Sequence, residues 1–151
     1  YEISLGLVGS EMCIRDSDYF AAADNGAGYL MPGMLQEPRS VSGLKSGLSA
    51  WAKHCSKYYQ KWGLTITGFV IDGEAPGLDS DGLDCYASFS PNGIVPQKMP
   101  LTLLHNDMPV IRADYDIVDH DYRRATDVIV ERVEKRPVPF HWFRAILKSP
   151  S

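Results

Sequence analysis

Apolar and polar positions along this chain fall into blocks whose period switches repeatedly between strand-like and helix-like spacing. A short apolar run near Tyr19 to Ala23 reads as a buried strand. It empties into Asp24-Asn25-Gly26-Ala27-Gly28, a tight loop whose backbone needs positive φ or close approach. Leu44, Leu48, Trp51, Cys55, Tyr58 and Trp62 then recur at intervals of three and four, which predicts one helical face, with Gly63 as its C-cap. Leu64 to Ile71 mixes β-branched and aromatic residues, predicts a second strand and ends in Asp72-Gly73-Glu74. A short helix is expected near Leu83 to Phe89, stopped by Ser90-Pro91-Asn92-Gly93. Met108 to Ile117 predicts a third strand, with Asp114 and Asp116 near its end. Asp119-His120-Asp121 offers N-cap oxygens to a helix running to about Lys135, with Tyr122, Ala125, Ile129 and Val133 inward. Pro137 and Pro139 break that helix and lead into a fourth strand, Phe140 to Leu147.

Strands alternating with helices imply an α/β fold with parallel pairing and right-handed crossovers. Four such βα units suit a small open sheet or half of a (β/α)₈ barrel, and in either architecture ligands gather at the carboxyl ends of the strands. At 44% hydrophobic and 23% charged, the composition is that of a globular domain, and no apolar run is long enough to cross a membrane. A net charge of -4 with scattered Lys and Arg gives no basic face, so nucleic acid is not an expected partner. Cys55 and Cys85 lack CxxC spacing, and Cys55 falls on the apolar helix face, where an inert buried thiol is expected.

Two resemblances add to this reading. Residues 1–17, YEISLGLVGSEMCIRDS, resemble a translated sequencing adapter, so they are expected to be an artefactual tail outside the native domain, and Cys13 belongs to that tail. Gly26, Gly28 and Tyr29 resemble the GxGY core of the bacterial GxGYxYTS family of glycoside-hydrolase-like proteins, with Leu30, Met31 and Pro32 in place of the Tyr-Thr-Ser continuation. The Asp72-Gly73-Glu74 strand end, the segment Phe89 to Ile94 and the closing Pro139 to Leu147 extend the likeness over most of residues 18–151. The resemblance implies that 18–151 is the C-terminal half of a TIM-barrel-like fold, truncated at both ends. It also implies a carbohydrate ligand, glycosidic hydrolysis, and an exported or cell-surface place in a bacterium, with the fragment alone inactive.

Glycosidases place two carboxyl groups about the scissile bond, one acid and one base or nucleophile, roughly 5 to 9.5 Å apart. Adjacent parallel strands lie ~4.8 Å apart, so carboxylates at neighbouring strand ends meet that requirement. Asp24, Asp72 and Glu74 are the candidate catalytic groups, against the alternative that strand-end carboxylates cap helices or bind loop amides. Asn25, Gly26, Gly28, Tyr29, Asp114, Asp116, His141 and Arg144 are the candidate substrate contacts. Amides read sugar hydroxyls and rings stack on pyranose faces; Trp142 suits the same role if its strand parity turns it inward. Arg144 either holds an anionic substrate group or pairs with an aspartate of the fold. His105, His120 and His141 form no recognisable metal motif. The acidic segment Asp114 to Asp121 is the one place that would attract a cation such as Ca²⁺. No GxSxG elbow, P-loop or dinucleotide fingerprint is present, and no cofactor is expected. Two other functions stay open: a non-catalytic carbohydrate-binding barrel, and a metal-dependent hydrolase built on the acidic segment.

Overall fold

The computed structural model describes residues 20–39, 41–98, 103–118, 121–138 and 140–146. The expected artefactual tail lies outside the described residues, as do Asp119, His120, Pro139 and Leu147. The elements are helix α1 (Leu48–Trp62), strand β1 (Ile66–Val70), helix α2 (Ser80–Phe89), strands β2 (Gly93–Pro96), β3 (Leu103–His105), β4 (Met108–Val110) and β5 (Tyr115–Ile117), helix α3 (Tyr122–Lys135) and strand β6 (Phe143–Ala145). The protein is mixed α/β. Four strands hydrogen-bond in the order β1-β2-β4-β3, and β5 with β6 forms a second, two-stranded sheet.

The pairings β1 with β2, β2 with β4, and β5 with β6 are parallel. Ahead of them, Ala22 forms a parallel bridge to Thr67, so the first expected strand shrinks to one paired residue at the edge of β1. Between β3 and β4 the pairing is antiparallel, through a hairpin turn in which Asn106 and Asp107 both take left-handed φ, 48° and 64°. Two successive left-handed residues are what a tight hairpin needs, and Asn and Asp tolerate them.

Leu48, Trp51, Cys55 and Tyr59 of α1 meet Leu83, Tyr86 and Phe89 of α2 over Val70, Ile94, Met108 and Val110 of the sheet. Trp51 sets its ring edge-to-face on Tyr86 at 4.9 Å and on Phe89 at 5.3 Å, a geometry that the ring quadrupoles favour. The expected α1 face is corrected at its ends. Tyr59 is buried in place of Tyr58, Leu44 lies exposed before the helix, and Trp62 is exposed. Gly63 caps the helix at φ 64°, ψ 27°, as its position predicted.

Ser90 to Gly93 stops α2 as expected, at Phe89, and Gly93 also opens β2, a strand the sequence reading did not include, buried along its whole length. Two expectations change. The run from 108 to 117 is two strands, because it exchanges partners. Ile111 N–H still donates to Ile94 O on the β2 side, whereas Asp114 N–H donates to Trp142 O ahead of β6. In α3 no residue is fully buried, and Tyr122, expected inward, is 71% exposed.

A bulge shapes β1. Thr67 opposes Ile94 and Val70 opposes Pro96, so β1 spends three steps where β2 spends two. Thr67 and Val70 both face the helices, while Gly68 and Phe69 face the other way, toward β6. A Cβ on Gly68 would stand 3.5 Å from the Trp142 ring and 3.1 Å from Ala21 Cβ, so glycine lets these groups close in.

A buried hydroxyl chain ties α1 to β1 and to the turn before β2. Thr67 Oγ1 donates to Ser90 Oγ at 3.0 Å, and Ser90 Oγ donates to Gly93 O at 2.9 Å. Thr67 has one proton, so the 2.7 Å contact must be donated by Tyr59 Oη. Burial pushes the Tyr59 phenol up to about 12, which keeps it a donor. We expect Tyr59→Phe to cost about 1 kcal/mol and Thr67→Val about 2 kcal/mol, since the latter leaves the buried Tyr59 hydroxyl with no acceptor, whereas Ser90 Oγ still donates to Gly93 O. Urea denaturation of the three proteins measures both.

Candidate functional site

The loop after Ala22 is held by Asn25, which is 0% exposed and sits at φ 61°. Its Nδ2 donates to Leu30 O at 2.8 Å and to Ile71 O at 3.2 Å, while its Oδ1 accepts from Ile71 N–H at 2.5 Å. The amide thus meets both backbone groups of Ile71, as a neighbouring strand would. This corrects the expectation that Asn25 reads a ligand hydroxyl: its polar atoms are already engaged by the fold. Gly26 is likewise turned inward, for a Cβ there would lie 3.0 Å from Tyr59 Oη and 3.3 Å from Cys55 Sγ. Gly28 faces open space, and Tyr29 is 77% exposed, so these two remain available to a ligand.

A second amide repeats the device. Gln36 Nε2 donates to Gly77 O at 3.0 Å and its Oε1 accepts from Asp79 N–H at 2.8 Å. Gly33 packs so closely on the same loop that a Cβ would stand 2.1 Å from Pro76 O. Two buried amides therefore bind the glycine-tyrosine loop to the loop after β1, and neither amide is distinguishable by spacing from a surface Asn or Gln.

Asp24 and Asp72 flank this seam, for each is the chain neighbour of a residue in the Asn25–Ile71 pair. Asp72 is 6% exposed and its Oδ2 accepts from Lys98 N–H at 2.8 Å. Burial raises its pKa above the ordinary carboxyl range, with the hydrogen bond and charge of Lys98 opposing. Lys98 Nζ also donates to Gly73 O, so the end of β2 grips the turn after β1. Glu74 is exposed and Asp24 half-buried, and among the described residues neither carboxylate has a hydrogen-bond or ion-pair partner. Asp24 takes φ 50°, so two successive non-glycine residues at the loop are left-handed. Such strain persists only where the surroundings over-determine it, and it concentrates at functional sites.

The other expected contacts fall into two groups. Asp114, its side chain 5% exposed, accepts from Trp142 N–H at 2.8 Å and lies 3.2 Å from Arg136 Nη2 and 3.3 Å from His141 Nδ1. Neither buried ring nitrogen of His141 makes an aligned hydrogen bond, so the Asp114 contact is one of proximity. In this arrangement Asp114 and His141 join the end of α3 to the segment leading into β6. Asp116 receives both Arg144 Nε at 2.8 Å and Arg144 Nη2 at 2.5 Å, the bidentate form. Of the two roles open to Arg144, pairing with an aspartate of the fold is the one found. Its guanidinium also stands 3.5 Å above the Phe69 ring, which links β6 to the bulge of β1.

Beside that pair is a cleft of about 190 Å³ lined by Phe69, Gln97, Arg112, Ala113, Tyr115 and Asp116, at the carboxyl ends of the strands. A larger apolar cavity of about 640 Å³ lies toward their amino ends, against Ile66, Gly93, Pro109, Phe140 and Trp142. None of the candidate catalytic groups lines either cavity; the smaller cleft holds one of the expected substrate contacts, Asp116, and the larger holds none. Among the described residues no group of three or more His, Cys, Asp or Glu could hold a metal ion. No helix there is long and apolar enough to cross a membrane. Gln36, Lys98, Arg112 and Arg136 take part in this edge without any spacing that marks them in the sequence.

Two outcomes follow. Asn25→Ala should cost more than ~2 kcal/mol, because it leaves buried backbone groups unpaired and puts alanine at positive φ; Asn25→Gly should recover only the second share. Chemical denaturation separates the two. For Asp72, the folded state holds the proton more tightly than the unfolded chain. As pH rises from the unfolded value near ~3.9 toward the raised folded value, the unfolded state releases its proton first and stability falls. Asp72→Asn should remove that loss, so its stability relative to the parent should improve between pH 3 and pH 7.

No family model, curated protein or solved structure matches the chain.

Proposed function

We propose that this chain is part of a TIM-barrel-like glycoside hydrolase, resembling the GxGYxYTS family, that cleaves a carbohydrate through paired carboxyl groups at its strand ends. The observation that carries the reading is Asp72: a buried carboxyl whose pKa burial raises, at the carboxyl end of a parallel strand, beside Asp24 and Glu74, which have no partner among the described residues. A carboxyl whose surroundings favour the protonated form suits the general acid, and a nearby more exposed one suits the base or nucleophile. Ala22, β1, β2 and β4 are parallel neighbours, with the antiparallel β3 inserted between β2 and β4 in the chain and placed at the sheet edge, and side chains of Trp142 and Arg144 reach back to β1. Both features are those of a sheet curving toward a barrel.

Tyr29 favours a second reading, the non-catalytic binding barrel, because its exposed ring is free to stack on a sugar. The metal-dependent reading draws least support, since Asp114 and Asp116 already face cationic partners. Substitution in the full-length protein separates the readings. Asp24→Asn or Glu74→Gln should lower kcat for glycan cleavage by at least ~100-fold with affinity largely kept, as expected for groups acting in the transition state. The binding barrel predicts no turnover in the parent protein and weaker binding in Tyr29→Ala. Full activity with Asp24 and Glu74 both neutralised would end the assignment of the pair.

A further inference from the structure

Among the described residues, the lining of the cleft at the carboxyl edge leaves one cation unpaired, and the carboxylates of Asp24 and Glu74 do not line it. Three charged side chains bear on it: Asp116, Arg112 and Arg144. Asp116 and Arg144 neutralise each other through two hydrogen bonds, and Arg144 is further held on the Phe69 ring. Asp114, next in chain to the cleft-lining Ala113, is buried against Arg136 and His141. Asp72, at the end of β1, is engaged by Lys98. Arg132, from α3, rests over the Tyr115 ring at 4.9 Å and brings a further cation to the same edge. Arg112 is left exposed at the cleft, with no hydrogen-bond or ion-pair partner among the described residues.

From this geometry we infer that the cleft is a subsite for the carboxylate of an acidic sugar, with Arg112 as the residue that binds it. The inference rests on the carbohydrate reading above and narrows it to uronic-acid glycans. A guanidinium fork matches a carboxylate in two parallel hydrogen bonds, whereas a neutral hydroxymethyl group offers only one acceptor oxygen in its place. At about 190 Å³ the cleft is smaller than the ~300 to 1,000 Å³ of pockets that enclose a whole drug-sized ligand, so it suits one sugar unit. Gln97 also lines the cleft and supplies an uncharged amide for the ring hydroxyls. Asp116 stays in place as the group that fixes Arg144, which leaves Arg112 as the cleft cation without a partner among the described residues.

The test is an NMR titration of the full-length protein with glucuronate and galacturonate against glucose and galactose. The acidic sugars should bind about tenfold more tightly than the neutral ones, the difference a charge-assisted hydrogen-bonded pair makes, and added salt should narrow the gap. Arg112→Gln should abolish the preference, so that acidic sugars bind no more tightly than neutral ones, and Arg112→Lys should keep part of it. Lys57→Gln, on the outer face of α1, serves as a charge-matched control and should keep all of it. Equal binding of acidic and neutral sugars, or an undiminished preference in Arg112→Gln, would overturn the inference and leave the carbohydrate reading standing. Binding of neither class would overturn both.

Discussion

Asn25 is fully enclosed, and its side chain meets backbone groups on two segments: both polar groups of Ile71 and the carbonyl of Leu30. Among the described residues, ladder bonds from Ala22 to β1 run from Ala22 N–H to Ile66 O and from Gly68 N–H to Ala22 O. Beyond them the chain turns away through two left-handed residues, and the end of β1 would be left with a bare edge. A buried, unpaired backbone group costs about 1 to 3 kcal/mol. The amide removes that cost and in doing so fixes where Asp24 and Asp72 stand. Gln36 does the same one turn further out. The carboxyl edge is therefore held by side-chain amides more than by sheet.

The bulge in β1 extends this constraint across the molecule. Because Gly68 and Phe69 both turn from the helices, Trp142 can approach one and Arg144 can cover the other. Arg144 in turn fixes Asp116 through the β5–β6 register, where Asp116 and Arg144 are direct partners. On the opposite face the Tyr59-Thr67-Ser90 hydroxyl chain anchors the same strand to α1. β1 is thus gripped from both sides, and the residues at its carboxyl end inherit that rigidity. Groups meant to act on a substrate benefit from such support, because misplacement by an ångström is costly in rate.

Much of the helical structure was legible in spacing alone: Leu48, Trp51 and Cys55 lie on the buried face of α1, and Gly63 and Asp121 cap where expected. Tyr58 and Tyr59 are adjacent, and only packing decides which one enters the core. β2 was hidden because Pro91-Asn92-Gly93 and Pro96 are turn-forming residues bracketing two apolar positions, and four residues carry too little period to read. At the edge, Asp72, Glu74 and Arg144 were visible as charged residues at strand ends. Asn25 was misread because a ligand amide and a structural clasp look alike until the missing strand partner is seen. Arg112 was passed over for the opposite reason: a lone arginine acquires meaning only once its neighbours are found to be paired.

The central claim is that burial raises the Asp72 pKa at the carboxyl edge and that this edge meets a sugar. Carbon-detected NMR of the side-chain carboxyls, titrated with and without glycan, observes both at once. The account predicts an Asp72 midpoint above the ~3.9 of an unstructured aspartate, and a midpoint that moves when glycan is added. A midpoint at or below that value, unmoved by any glycan, would contradict it.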